Sequence, residues 1–368
     1  MNILFHIVHP AQFHLFRNVI AELEGLGHQC FVAIKSKDIL EELLMRSGLT
    51  YYNILEREHR KTRFGMIRDM VVRNVRILRF VRKNKIDLLV GSSVEAAQVG
   101  WLVRKPRITV VEDDASVIPL FHRVAGPFIE TLLTPLSCDN GRLEKKSVKY
   151  AGYHKLAYLH PNRFTPDRTV VEKYFPSGNP YFILRFAKLK AYHDVSAHAQ
   201  GITADIARRL IGILKEKGNV YISSERELEP EFEPFRLTID PADMHHLLAF
   251  ATLYIGDSQS MAVEAAMLGI PSIRFNSFAG KIGVLEELEH MYGLTFGISP
   301  DKPDQLYAKV RELLSTQDLR VIFQLRRQKL LSEKIDVTAF LAWFIGNYPE
   351  SRRTMEDDPD YQFKFLPS

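Results

Sequence analysis

Residues 253–275 read "LYIGDSQSMAVEAAMLGIPSIRF". An apolar trio, Leu253, Tyr254 and Ile255, runs into a glycine, an acid and two hydroxyls, and a helical pattern follows. Gly269 ends that helix, and Pro271 opens a second apolar run without needing a helical N–H. Strand, turn, helix and strand in this order form one unit of a parallel sheet with helical crossovers. Gly256 is expected to let the backbone turn sharply. Ser258 or Ser260 can cap the helix. The remaining N–H groups and the positive helix end suit a phosphate. Glu264 lies one turn past Ser260 on the same helical face. A carboxylate there opposes a phosphate but suits a neutral diol one sugar away, such as a ribose. The same residues also fit a plain strand–turn–helix unit whose serines only cap it and whose Glu264 is solvated. Local chemistry leaves both readings open.

Working outward, the alternation repeats. "NILFHIVH" reads as a strand, and Phe13, Phe16, Val19, Ile20, Leu23 and Leu26 then recur at helical spacing. "HQCFVAIK", "TYYNIL", "DLLVGSS", "RITVVEDD", "TLLTP" and "SVKYAG" follow as strands, with a short helix in "DILEELLMRSG" and a long basic one over about 62–84. Prolines and polar residues at 155–180 interrupt the pattern, as an inter-domain connection would. It restarts with the strand "YFILRF", a helix from about 203, strands "NVYISS" and "FRLTI", the helix "DMHHLLAFA", the quoted unit and the strand "LTFGI". Three helices are expected over about 303–347. Apolar strands separated by helices predict two doubly wound α/β domains facing each other across a cleft. The boundaries expected are 1–160, a linker at 161–180, a second domain at 181–350 and a polar, loosely attached tail at 351–368.

A chain of 368 residues is long enough for two such domains, and 46% apolar with 25% charged residues is an ordinary soluble composition. The net charge of +5 matters only if the excess is clustered. Two cysteines without a Cys-x-x-Cys pattern point to a reducing compartment. The N-terminus lacks a signal-peptide pattern, and no apolar run approaches bilayer length. A cytoplasmic protein is expected. No GxGxxG or Walker A loop follows the first strand, which weighs against a dinucleotide dehydrogenase or a P-loop kinase. No aromatic–basic strand motif points to nucleic acid.

The stretches "MNILFHIVHPAQFHLFRNVI", "KYAGYHKLAYLHPNRFTPD", "ILRFAKLKAYHD" and "DMHHLLAFATLYIGDSQSMAVEAAMLGIPSIRFNSFAGKIGVLEELE" resemble a bacterial and archaeal family of unassigned function. That family, domain of unknown function family 354, is described as predicted glycosyltransferases of the GT-B fold. At longer range the layout resembles the lipid-intermediate glycosyltransferase of peptidoglycan synthesis and the non-hydrolysing UDP-GlcNAc 2-epimerases. The resemblance implies a GT-B pair of Rossmann-like domains. It also implies a nucleotide diphosphate sugar, such as a UDP-sugar, held mainly by the second domain. Glu264 would bind the ribose hydroxyls. Gly256, Ser258, Gln259, Ser260 and Met261 would meet the diphosphate and sugar, and the base would lie near Arg236 to Ile239. It implies no bound metal and no cofactor beyond the donor substrate.

Other residues gain candidate roles beside plainer ones. In "HPAQFH", His14, with His9 nearby, can act as general base on an acceptor hydroxyl, or it can cap the helix or stack in the core. "GSSVEAAQ" and "VVEDDAS" place Ser92, Ser93, Glu95, Glu112, Asp113 and Asp114 after apolar strands. Glu112 and Asp113 can serve acid–base chemistry, or these acids can be solvated strand-end and capping residues. Glu112 falls where the epimerase pattern has its glutamate. The epimerase acid after the previous strand is replaced by Ser92 and Ser93. "RFAKLKAYHD" supplies Arg185, Lys188, Lys190, His193 and Asp194, either to neutralise a leaving diphosphate or as a charged loop. In the long basic helix, Phe64, Ile67, Val71, Val75, Leu78 and Val81 are expected on the core face. Arg73, Arg76, Arg79 and Lys83 are expected opposite, with Val72 and Phe80. That face is either solvated or a footprint for an anionic membrane.

The reading with the widest support is a metal-independent GT-B glycosyltransferase, moving a sugar from a nucleotide diphosphate sugar to a glycan or lipid-linked acceptor hydroxyl. The setting expected is polysaccharide or glycolipid synthesis, in the cytoplasm or peripheral at the inner membrane face. The alternatives are a nucleotide-sugar 2-epimerase and a catalytically silent sugar-nucleotide binder.

Overall fold

The computed structural model describes residues 1–35, 39–55, 63–187 and 201–367. The chain divides into two compact units, one of Met1–Tyr158 with Lys334–Ser368, the other of Leu159–Glu333. The first unit alternates β1 (Asn2–Ile7), α1 (Pro10–Gly25), β2 (Gln29–Lys35), α2 (Leu40–Ser47), β3 (Tyr51–Leu55), α3 (Arg63–Lys83), β4 (Leu88–Gly91), α4 (Val94–Leu102), β5 (Arg107–Val110), α5 (Pro119–Ala125), β6 (Thr131–Pro135) and β7 (Ser147–Tyr150). Among the described residues these strands form one parallel sheet in the order β3-β2-β1-β4-β5-β6-β7. The order reverses between β1 and β4, the place where such sheets open a crevice at their carboxyl edge. Leu4, Phe5, Leu89 and Val90 are buried, so these strands read as apolar runs rather than as an alternation.

A short helix, α6 (Leu156–Leu159), leads toward the second unit, which starts with α7 (Arg168–Tyr174). Then come β8 (Tyr181–Phe186), α8 (Ala204–Lys215), β9 (Asn219–Ser224), α9 (Met244–Phe250), β10 (Leu253–Gly256), α10 (Gln259–Met267), β11 (Ser272–Phe275), α11 (Gly283–His290), β12 (Thr295–Ile298), α12 (Pro303–Ser315) and α13 (Leu319–Glu333). The sheet order is β12-β11-β10-β8-β9, all parallel, with its reversal between β8 and β10. The quoted stretch therefore leaves the sheet at a switch point.

Three expectations change. The segment "FRLTI" is not a sheet strand: Arg236 makes a single bridge to Ile222, because the prolines at 230 and 234 hold the preceding residues in a 3₁₀ turn. The 161–180 linker belongs to the second unit and contains α7, capped by Asp167 through the Thr169 N–H. The 334–368 stretch belongs to the first unit. There α14 (Val337–Gly346) and α15 (Glu350–Asp357) pack, α14 against α1. The α14 sequence "VTAFLAWFIG" is apolar on nearly every side, so it must be covered all round. The Ile335 N–H donates to the Ala151 carbonyl (2.9 Å), and Thr338 Oγ1 donates to the Ala157 carbonyl (2.6 Å). The tail is anchored: Gln362 is buried and its Oε1 accepts the Ala151 N–H (2.6 Å), and Tyr361 stacks on Trp343.

Candidate functional site

At the switch point of the second unit, Gly256 closes β10 where there is no room for a side chain. A Cβ there would lie 2.5 Å from the Tyr254 hydroxyl and 2.8 Å from Arg185 Cβ. Close packing, rather than a sharp turn, is what this position demands. Gly269, with φ of 70°, does terminate α10 in the left-handed region. Ser258 occupies the N-cap of α10, but its hydroxyl makes no capping bond. The first-turn amides of Gln259, Ser260 and Met261 are thus not capped by that side chain, and they carry the positive end of the helix. Ser258, Gln259 and Ser260 are half-buried and Met261 is buried. Gln259 Nε2 donates to Asn276 Oδ1 (2.8 Å), which also accepts the Phe278 N–H (2.9 Å). This ties the turn to the end of β11.

Glu264 follows on α10 and is buried, not solvated. Its Oε1 lies 3.4 Å from Nε2 of His245 on α9, both side chains being about a tenth exposed. Nothing in the sequence marked His245 beyond its place on the apolar-patterned "MHHLL". Asp257, between Gly256 and Ser258, is buried; its Oδ1 accepts the Ala187 N–H (2.5 Å). Arg185 lies within β8 rather than in the loop after it. Its guanidinium is committed to Ser223 Oγ (2.6 Å) and to the Glu225 carboxylate. Lys188 and His193, like Lys190 and Asp194, lie outside the described residues.

The first unit has its own polar group at the β1/β4 switch. His6 is fully buried on β1, and its Nδ1 is 2.5 Å from Ser93 Oγ. Ser93 also caps α4 by accepting the Ala96 N–H (3.1 Å). Burial lowers the imidazole to about 4, so His6 is neutral at pH 7. Burial alone would push the Glu95 carboxyl up; the opposing effects, among them the charge and hydrogen bond of Arg73, outweigh it and hold it below the usual carboxylate range. Arg73 Nε is 2.5 Å from Glu95 Oε1. That contact corrects the expected face of α3. Asp69, Arg73, Ile77 and Val81 turn inward, while Val71 and Val75 are 52% and 39% exposed. Phe80 packs on Phe31 and Tyr52. The reason is positional: the last turns of α3 cover the apolar cluster of Leu4, Ile54 and Leu89, while Arg73, further back, meets Glu95 on α4. Arg76, Arg79 and Lys83 remain exposed, although Arg76 also donates to the Ile54 carbonyl. The side chains of Phe64 and Ile67 lie outside the described residues.

Glu112 and Asp113 separate. Glu112 Oε2 is 2.5 Å from Lys155 Nζ, and its Oε1 accepts the His154 N–H (2.6 Å). Burial pushes its carboxyl up, but Lys155 and the other partners outweigh this, so it stays ionised and locked. Lys155 was not singled out in the sequence; a lysine inside "GYHKLAY" was its one signal. Asp113 is exposed, and Asp114 is buried with Oδ1 accepting the Asp139 N–H (2.6 Å). His9 sits at the N-cap of α1 and accepts the Ala11 N–H (3.2 Å). His14 is half-buried on α1, with its ring 5.2 Å from that of Tyr158 and 5.3 Å from that of Phe13. The ring packs among these aromatics, tilted to Tyr158 and edge-on to Phe13.

The family model described as "Protein of unknown function (DUF354)" matches residues 1–287. No curated protein matches the sequence. Among solved structures, the UDP-GlcNAc 2-epimerase from Neisseria meningitidis bound to UDP-GlcNAc is similar at a TM-score of 0.61 and 13% identity, covering 97% of this chain and 99% of that one. S. aureus MnaA with UDP is similar at 0.64 and 13%, covering 96% and 97%. The spinosyn rhamnosyltransferase SpnG complexed with spinosyn aglycone is similar at 0.59 and 14%, covering 92% and 98%. At these identities the likeness establishes the fold: α/β, of the GT-B type, with two Rossmann-like sheets.

Proposed function

The chain belongs to the DUF354 family, and from that premise we propose that it is a glycosyltransferase acting on a nucleotide diphosphate sugar. The observation that carries this reading is the switch point of the second unit. There, helix-end amides without a side-chain cap stand one turn before a buried carboxylate. The amides of Gln259, Ser260 and Met261 would hold the diphosphate, and Glu264 the ribose hydroxyls. An acceptor hydroxyl gives its proton to His14 and attacks the anomeric carbon. The bond from that carbon to the diphosphate oxygen breaks, and the nucleoside diphosphate leaves with its charge on the helix end. That electrophilic help lets the transfer run without a bound metal. Lys188 and His193 are proposed as further cations for the leaving group. The acceptor is proposed to be a glycan or a lipid-linked sugar, reached from the cytoplasmic face of a membrane.

A second reading, a nucleotide-sugar 2-epimerase, draws on the likeness to the UDP-GlcNAc 2-epimerase structure. It needs a carboxyl free to exchange a proton at the sugar C2, and Glu112 is instead clamped by Lys155 and the His154 amide. One experiment separates the readings. Donor sugar nucleotides are incubated with the protein in D₂O, with and without lipid-extract or oligosaccharide acceptors, and followed by NMR. A transferase releases nucleoside diphosphate in step with acceptor glycosylation and leaves C2–H intact. Deuterium at C2 with donor alone would overturn the transferase reading. Binding without either reaction would favour a silent binder.

A further inference from the structure

Asp257 is an unusual neighbour for a phosphate. It immediately precedes the N-cap of α10, and it is 3% exposed. Its N–H donates to the Arg185 carbonyl (3.2 Å), and its own carbonyl accepts Asn276 Nδ2 (3.3 Å). Oδ1 accepts the Ala187 N–H, and the N–H groups of Ile202 and of Asp257 itself also steady the carboxylate, but Oδ2 is buried without a hydrogen bond of ordinary geometry among the described residues. A buried, half-satisfied carboxylate is costly when ionised.

The charged groups around it offer little relief. Arg226 is the facing cation, and its guanidinium is engaged with the Ile202 carbonyl (2.6 Å) and lies over the Phe186 ring. Arg185, on β8, is spent on Glu225 and Ser223. The buried Tyr254 on β10 is held as a neutral phenol by desolvation and donates to the Ser258 carbonyl. Glu264, on α10 beyond the turn that holds Asp257, adds a further negative charge nearby in sequence. Burial pushes the Asp257 carboxyl up to about 6. At pH 7 it is therefore largely ionised in the empty protein, but only by a small margin of free energy.

We propose that Asp257 takes up one proton from solvent as a diphosphate binds at the first turn of α10, and that Oδ2–H then donates a hydrogen bond to a phosphate oxygen. This rests on the nucleotide-sugar reading of the same site. The physical argument is linkage. A diphosphate diester brings about two negative charges beside a carboxylate screened by little water, and like charges at short range favour protonating the weaker acid. Protonation removes the repulsion and supplies the orphaned oxygen with its missing partner. Anion and proton then bind with positive coupling, each raising the affinity of the other.

The test is calorimetric. UDP-N-acetylglucosamine, UDP-glucose and GDP-mannose are the probes, because their diphosphate diesters do not titrate near neutrality. Binding heats are measured in buffers of contrasting ionisation enthalpy, and the slope counts protons taken up. The expected result is about one proton at pH 7, little at pH 5, and affinity falling about tenfold from pH 7 to pH 8. In Asp257→Asn the uptake and the pH dependence should vanish while binding remains. Wild-type binding without buffer-dependent heat at pH 7 overturns the inference and leaves the nucleotide-sugar reading intact. Uptake that persists undiminished in Asp257→Asn also overturns it and assigns the proton to another group. If the variant does not fold, the wild-type contrast between pH 5 and pH 7 decides. Absence of binding by every probe at millimolar concentration sinks both readings.

Discussion

Replacing Lys155 by Met should unfold the first unit more readily than almost any other single change at its carboxyl edge. The Glu112 carboxylate is about nine-tenths buried, and so is Lys155. With Nζ removed, one oxygen keeps the His154 N–H and the other faces protein. His154 offers no compensating charge, because burial lowers its imidazole to about 4. Breaking a buried pair by removing one partner costs about 3–5 kcal/mol. At ~2–4 °C per kcal/mol for a unit of this size, the melting transition should drop by roughly 10 °C. The sign against pH is definite. In the wild type the Glu112 carboxyl lies below its ordinary range, so its stabilising effect is present above the unfolded value and lost as pH falls through the folded one. In Lys155→Met burial is opposed only by the retained His154 N–H and pushes the carboxyl up, so the deficit should shrink as the pH is lowered from 7 toward 5. The double variant Glu112→Gln/Lys155→Met, with no charge left to bury, should recover most of the loss. Urea titrations of the four proteins at pH 5 and pH 7 measure all of this. A loss under about 1 kcal/mol, equal at both pH values, would refute the buried-pair argument. It would return Glu112 to consideration as a mobile acid–base group.

Three further outcomes follow from the same contacts. Glu264→Ala should weaken nucleotide binding by about 1.5–3 kcal/mol, roughly 10- to 100-fold, with folding intact; unchanged affinity in calorimetry sinks the ribose assignment. Asp257→Asn should flatten a pH trend in stability: with the wild-type carboxyl at about 6, its favourable contribution is present below the unfolded range and lost as pH rises through 6, up to about 3 kcal/mol at ~1.4 kcal/mol per pH unit. Melting curves from pH 4 to 7 that run parallel in both proteins would contradict this. For the membrane footprint, which we propose on charge, the reversal to test is Arg76, Arg79 and Lys83 to Glu. Arg73 is excluded, because its loss would strand Glu95. Anionic vesicles should bind the wild type at low salt by ~1 kcal/mol per basic residue and release it at high salt. A wild type that ignores them at low salt makes α3 a solvated helix.

Much was legible in one dimension because it is written in local chemistry. The alternation of apolar strands and helices, Gly269 as a helix stop, and the acid one turn into α10 all follow from spacing along the chain. So did the position of every strand of both sheets, "FRLTI" being the surplus one. What stayed illegible depends on partners distant in sequence. A periodicity argument put Arg73 outside and Val71 and Val75 inside, since it assumes that a core is apolar; the inward face of α3 also meets Glu95, 22 residues on. Glu112 looked like a free strand-end acid until the chain brought Lys155 back beside it, 43 residues later. Gly256 is required by the bulk of Tyr254 and Arg185, a constraint no spacing encodes. The homes of α14 and the tail were set by which unit could cover a helix apolar on nearly every side. Propensity and turn chemistry act within a few residues and survive reading from sequence; burial, ion pairing and the ionisation state of Asp257 arise only when the folded chain removes water and chooses the neighbours.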